Sequence, residues 1–388
     1  MVAIITGNGF GLERSSLSVL GARGKIGNAQ LGRGGQNVYV NAATGTLNVQ
    51  REDEFLVGRG PDADLASEFS TGSAYWHTPN WRTVYGLTGT VNTAGSTVYR
   101  WTGFMDQALY TYDAARGAYV NKEGGGAHNE LRFANGVWSF TDGNTRHVEY
   151  YEQSWGGGYL VSRVVDTDGN TQSYTYDASG VCIARITNAD GSFVEMTHTN
   201  NRPNEIKTSY VNATGGLSTM TRVRYTWDPA VTARLQALTV DLTPHDNSIA
   251  DGNVYRINYT YSGSTQRLTS ITQTDGSRLD VAYDASGRVV SYTETVAAGD
   301  TRTTTLSYET DAYGNKFTRV RDARLQDTLL YYDSKGQLTK VVAPAPLAGA
   351  PASTVSYAYN ADGDLVSVTD AYGNVSTYTY DSSGNLIT

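Results

Sequence analysis

Along most of the chain, aromatic or aliphatic residues alternate with small polar ones in short runs. Ser173-Tyr-Thr-Tyr176 and Thr377-Tyr-Thr-Tyr380 show the pattern plainly, and a period of two places the rings on one face of an extended strand. The runs are cut at regular intervals by turn residues: Asp166 to Asp177 and Asp177 to Asn188 are each 11 residues, Asn360 to Asp370 is 10, and Asp370 to Asp381 is 11. Such a half-unit holds a strand of about six residues and a turn of about four, and it leaves no room for a helix.

Two similar halves make a full repeat of 21 residues. One half carries Tyr-Asp-x-x-Gly, as at Tyr176, Asp177 and Gly180, at Tyr283, Asp284 and Gly287, at Tyr332, Asp333 and Gly336, and at Tyr380, Asp381 and Gly384. The other carries a plainer Asp-x-x-Gly, as at Asp370 and Gly373. Asp-Gly pairs at Asp142, Asp168, Asp190, Asp275 and Asp362 are expected to supply positive-φ turns. A single unit cannot bury its aromatic face, so units must stack on one another. The predicted fold class is all-β: antiparallel β-hairpin repeats that curl into a spiralling sheet or shell, because a flat sheet of some 35 strands would be unstable.

Composition supports this reading and narrows the function. The chain has 388 residues, with 42 Gly and 28 Tyr against 8 Phe, and 18% charged residues. Its net charge of −8 is spread without long blocks, which disfavours a nucleic-acid partner. The lone cysteine, Cys182, excludes an internal disulfide and a cysteine-built zinc site. No signal peptide is readable at the N-terminus, and no run approaches the roughly 18 apolar residues of a membrane helix, so no membrane span is expected.

Tyr332 to Leu338 and Tyr380 to Leu386 follow Tyr-Asp-x-x-Gly-x-Leu, interleaved with Asp-x-x-Gly elements across residues 157–388. In this the chain resembles the RHS, or YD-repeat, family. Val38 to Leu47, Phe55 to Gly60, Trp81-Arg82 and Tyr85 to Gly89 resemble the region ahead of the repeats in bacterial members, although Ser67-Glu-Phe-Ser-Thr71 departs from their usual Arg-Thr-Tyr-Asn-Ser. The resemblance divides the chain into a glycine-rich N-terminal cap or linker (1–36), a front-end β region (37–156) and a YD-repeat array (157–388) continuous with it. It implies a non-catalytic scaffold, part of the shell of a secreted or cell-surface protein exported by a signal-less route, which encloses a C-terminal toxin. The implied partners are downstream repeats and toxin cargo of a longer parent protein, since the chain stops at Thr388 within a repeat. Self-association through an open sheet edge near Thr377-Tyr-Thr-Tyr380 is a further expectation.

Chemical motifs are sparse. Gly7-x-Gly-x-Gly11 lacks the strand and helix of a nucleotide loop, and no cofactor is expected. Asp166-x-Asp-Gly-Asn170 resembles half of a calcium loop but lacks its closing glutamate, so it reads as a turn and no metal site is expected. His77, His128, His147, His198 and His245 show no ligand spacing, and Cys182 lies in an apolar run that reads as buried strand. The carboxylates are too many and too alike for an acid and base pair to be chosen, and no catalytic residue is expected. Tryptophans at 76, 81, 101, 138 and 155 leave open an alternative, a surface adhesin or carbohydrate-binding repeat protein, with Trp76 and Trp101 as glycan contacts and cell-surface glycans as partners.

Overall fold

A computed structural model describes residues 2–7, 17–20, 25–26, 36–77, 82–101, 107–121 and 128–388, apart from residues 232, 264, 346, 348 and 383. It contains thirty-two strands, one short 3-10 turn at Pro244–Asp246, and no α-helix among the described residues. The all-β expectation holds, and the strand-plus-turn half-unit is realised almost without interruption from Gly158 onward.

Seven strands form a front sheet: Ala3–Thr6, Leu17–Leu20, Lys25–Ile26, Gln36–Asn41, Leu47–Leu56, Ala63–Ser70 and Tyr75–His77. Ala3–Thr6 runs parallel to Gln36–Asn41, with Ala3 opposite Tyr39, and the other pairings are antiparallel. Ala3–Thr6 is buried along its whole length, so the segment ahead of residue 36 contributes a core strand. Gly9 and Gly11, like most of the glycine-rich stretch, lie outside the described residues.

The wall begins at Thr83. Eight strands, from Thr83–Thr88 through Gly158–Val165, pair antiparallel in succession, and the last closes on the first. The closure is short: Gly158, Tyr159 and Leu160 pair with Tyr85, Val84 and Thr83. The same edge of Gly158–Val165 then pairs through Arg163, Val164 and Val165 with the next strand, Thr171–Tyr176. One edge is thereby shared between the start of the ring and its continuation, which is how a strip steps sideways into a spiral. Gly158 is required at this point, because a Cβ there would sit 2.7 Å from the carbonyl oxygen of Val84. From Thr171–Tyr176 to Val375–Thr377, seventeen strands follow as nearest neighbours in sequence order.

Side chains alternate in and out along these strands. In Val254–Tyr261, Tyr255, Ile257 and Tyr259 are buried while Arg256 and Thr260 are exposed. The inward residues meet the front sheet in one continuous core, in which Val38, Leu47, Phe69 and Trp76 join Val223, Leu238, Ile257 and Ile271. Burying side chains of this size stabilises by about 1.5–3 kcal/mol each.

The turns repeat one device. In Asp311-Ala-Tyr-Gly-Asn315 the Asp311 carboxylate accepts the amides of Tyr313 and Asn315, each at 2.9 Å, and the Gly314 amide donates to the Asp311 carbonyl. Gly314 has φ 84°, as the tight reversal demands. Five of the six Asp-Gly pairs, Asp251-Gly252 among them, place their glycine in this left-handed region. The exception is Gly143, where Arg146 takes the positive φ of 61° instead. Gly143 answers a different need, since a Cβ there would lie 2.5 Å from that of His128. In Asp322-Ala-Arg-Leu-Gln326 the same hydrogen bonds form with Leu325 at the glycine position, at φ 62°. A branched side chain in that conformation costs about 1–2 kcal/mol, and Leu325 is exposed and recovers little of it by packing. Leu325→Gly is expected to stabilise the chain by about 1 kcal/mol, visible as a higher thermal midpoint.

Candidate functional site: the tyrosine ties and the buried seam

The signature tyrosines end their strands. Tyr176, Tyr283 and Tyr332 are the last residues of Thr171–Tyr176, Arg278–Tyr283 and Asp327–Tyr332, and each is followed by an Asp that opens the turn. Their hydroxyls reach back across the sheet. Tyr283 donates to the carbonyl of Leu268 at 2.6 Å, Tyr308 to Val289 at 2.7 Å, Tyr359 to Leu338 at 2.9 Å and Tyr380 to Leu365 at 2.8 Å. Tyr176 and Tyr261 do the same to Val161 and Leu235. The acceptors Val289, Leu338 and Leu365 are each the apolar residue that closes the Tyr-x-x-x-Gly-x-Leu element of the preceding repeat. These six bonds tie a strand to an earlier one through the para-hydroxyl that Phe lacks. Tyr332 differs, with its hydroxyl 3.3 Å from the Thr318 hydroxyl. Burial raises Tyr359 to about 12, so the donors stay protonated.

A second set of contacts joins the front sheet to the wall. Arg51 and Asp53, on Leu47–Leu56, are fully buried and ion-paired. Arg51 also donates to the Tyr259 hydroxyl at 2.5 Å, Tyr259 donates to Gln36 at 2.8 Å, and the Tyr225 and Ser67 hydroxyls donate to Asp53. The Arg51 guanidinium lies 5.2 Å from the centre of the Trp76 ring, whose Nε1 donates to Tyr261 at 2.8 Å. Burial alone would lower the Arg51 pKa, but Asp53 and the two tyrosines outweigh it, and the group stays charged. Around this knot the backbones also meet: the Val289 amide donates to the Gly45 carbonyl at 2.9 Å, and the Thr318 hydroxyl to the Ala42 carbonyl at 2.6 Å.

A third cluster sits within the closed ring. Glu149 accepts from Arg82 and Arg100, each at 2.7 Å, and Arg100 also donates to the Tyr151 hydroxyl at 2.9 Å. Burial pushes Glu149 up, yet Arg100 and Arg82 more than offset it and hold the carboxyl at about 2. The knot pairs one buried cation with one buried anion, and the second cluster sets two cations around one carboxylate, with Arg82 at its partly exposed edge.

The RHS repeat family pattern matches residues 359–388, the stretch holding Tyr359, Asp370 and Tyr380 with their ties. The chain carries an RHS repeat. No curated protein matches it. Among solved structures, TcdB2-TccC3 without its hypervariable C-terminal region is similar at 12% identity and TM-score 0.42, over 88% of this chain and 19% of that one. A TcdB2-TccC3-Cdc42 structure gives 12% identity and TM-score 0.42, over 91% and 23%. The Photorhabdus luminescens Tc holotoxin pore, carrying TccC3-D651A, gives 12% identity and TM-score 0.30, over 90% and 25%. The chain therefore spans a quarter or less of these three proteins.

Several expectations are corrected or completed by this geometry. Trp76 is buried at 1% exposure between the front sheet and the RHS wall, so its ring presents no face to a sugar. Trp101 is half-buried, 5.6 Å from the His77 ring. Trp81 lies outside the described residues. The Asp166 carboxylate accepts from the amides of Asp168 and Asn170 and from the Asn170 side chain, so its oxygens are engaged by its own turn. Cys182 is buried as expected, but it closes the turn ahead of Ile183–Thr187 rather than lying in a strand, and burial pushes its thiol up to about 11. Burial, then Arg202, lowers His77 to about 4 and keeps it neutral near pH 7. The Arg51 knot escaped the sequence reading. Its only trace is a run of four charged residues, Arg51 to Glu54, inside the strand Leu47–Leu56.

Two outcomes follow. Tyr283→Phe removes a tie while keeping the ring, and is expected to cost about 1 kcal/mol, measured by denaturant titration. Glu149→Gln is expected to cost about 3 kcal/mol at neutral pH, judged from a carboxyl lowered from 4.5 to about 2. A depressed carboxyl contributes stability above its unfolded pKa and loses it as pH falls toward the folded one. The gap between wild type and Glu149→Gln should therefore narrow from pH 4.5 down to about 2.

Proposed function

We propose that the chain is a non-catalytic wall segment of a longer secreted or cell-surface RHS protein, and that the wall shelters a C-terminal toxin. One observation supports this reading above the others: the strip closes a complete ring at Gly158–Leu160 and then steps past it, so that it has an inside. The inner face is apolar and the first part of it is lined by the front sheet. The clusters of buried charge brace that arrangement and offer no nucleophile or open acid and base pair. No helix among the described residues is long and apolar enough to cross a membrane. Downstream repeats and cargo are the partners in this reading. A glycan-binding adhesin loses its main support with the burial of Trp76.

Limited proteolysis of the longer natural product tests it. A C-terminal fragment protected as long as the wall is folded, and degraded once Arg51→Met loosens the seam, is the expected result. Equal cleavage of that fragment in both proteins would remove the sheltering role while leaving the scaffold in place.

A further inference from the structure

Because consecutive strands from Gly158 onward are antiparallel neighbours, their turns fall alternately on two rims of the strip. The Tyr-Asp turns at 177–182, 284–288, 333–337 and 381–385 all share one rim, together with the plainer turn at 311–315, and the plainer turns at 166–170, 188–192, 274–277, 322–326 and 370–374 share the other. The two rims differ in chemistry. Among the described residues between 166 and 377, ten large apolar side chains are exposed, and nine of them sit at the rim opposite the Tyr-Asp turns. Tyr313 is the exception.

The densest part runs through Val296, Leu325, Leu347, Tyr372 and Val375, on four successive loops of that rim. Leu325, Leu347 and Tyr372 are 78%, 75% and 93% exposed. Strands about 4.8 Å apart put successive loops of one rim about 10 Å apart, close enough for one partner to touch several at once. Isolated exposed apolar residues need no explanation, but a continuous row confined to one edge does.

Charge separates the rims too. The loops of the apolar rim, from 166–170 to 370–374, carry eight Asp and a single cation, Arg324. The loops of the opposite rim, from 177–182 to 360–364, carry seven Asp and four Arg or Lys. Hydrogen bonds from Asn170, Thr243 and Asn374 hold Asp166, Asp251 and Asp370 below the usual carboxylate range, so they remain anionic.

We propose that this rim is a docking edge for a cationic, apolar polypeptide segment of a partner protein. Leu325, Leu347 and Tyr372 supply the apolar contacts, Asp322 and Asp370 in the same loops supply attraction beside Arg324, and the other six rim aspartates lie on the earlier loops between 166 and 277. A second copy of this chain presenting the same rim would set aspartate against aspartate, which disfavours self-pairing there. Loss of three exposed apolar anchors should cost more than the 1.4 kcal/mol that equals tenfold in affinity.

The test uses the full chain and a fluorescein-labelled amphipathic Leu/Lys peptide, with a Leu/Glu peptide of the same pattern as control, read by anisotropy. Saturable, salt-sensitive binding of the Leu/Lys peptide alone is expected. The Leu325→Ser, Leu347→Ser, Tyr372→Ser triple variant should weaken it at least about tenfold, and Tyr313→Ser on the other rim should leave it unchanged. The three side chains are exposed, so the triple variant should keep the wild-type circular dichroism and thermal midpoint. The proposal is overturned if neither peptide binds, if both bind alike, or if Tyr313→Ser weakens binding as much as the triple variant. Sedimentation showing a dimer that the triple variant dissolves would assign the rim to a second copy and overturn it equally.

Discussion

Everything in this molecule depends on covering the inner face of a long antiparallel strip. Each strand turns alternate side chains inward, and residues such as Ile206, Val223, Leu238, Ile257 and Ile271 would face water if the strip stood alone. Curling brings the strip around the front sheet, and the two apolar surfaces then share one core. The curl, the ring closure at Gly158 and the position of the front sheet are consequences of that burial.

Hydrophobic burial has no direction, so other features set the register. The Asp-capped turns fix where each chain reversal falls, and the tyrosine ties link several hairpins to the strand before them. The Arg51 and Asp53 pair adds a constraint between the front sheet and strands distant in sequence, since Tyr225 and Tyr259 can complete it in one alignment only. Removing one member would strand a buried charge, a penalty of several kcal/mol, whereas sliding the sheets would do the same.

The two halves of each repeat divide the labour between the two rims. The rim of the Tyr-Asp turns carries four of the five loop cations, and the opposite rim is more acidic and carries nine of the ten exposed large apolar side chains among the described residues between 166 and 377. A strip with chemically different edges has a top and a bottom, which a wall that meets other components at one end requires.

The alternation in Thr171–Tyr176, the turn at Asp177 to Gly180 and the spacing between them were legible in the chain itself, because strand period and turn geometry are local properties of a few adjacent residues. The tie from Tyr283 to Leu268 follows from the same repeat, but its direction became visible only when neighbouring strands were placed side by side. The fate of Trp76 and the partners of Arg51 lay beyond any sequence reading, since Tyr261 and Tyr259 stand roughly 200 positions away and meet them only after the strip has curled. Local chemistry determined the strands, the turns and the repeat. Long-range burial decided where the strip closes, what fills it, and which rim is left facing outward.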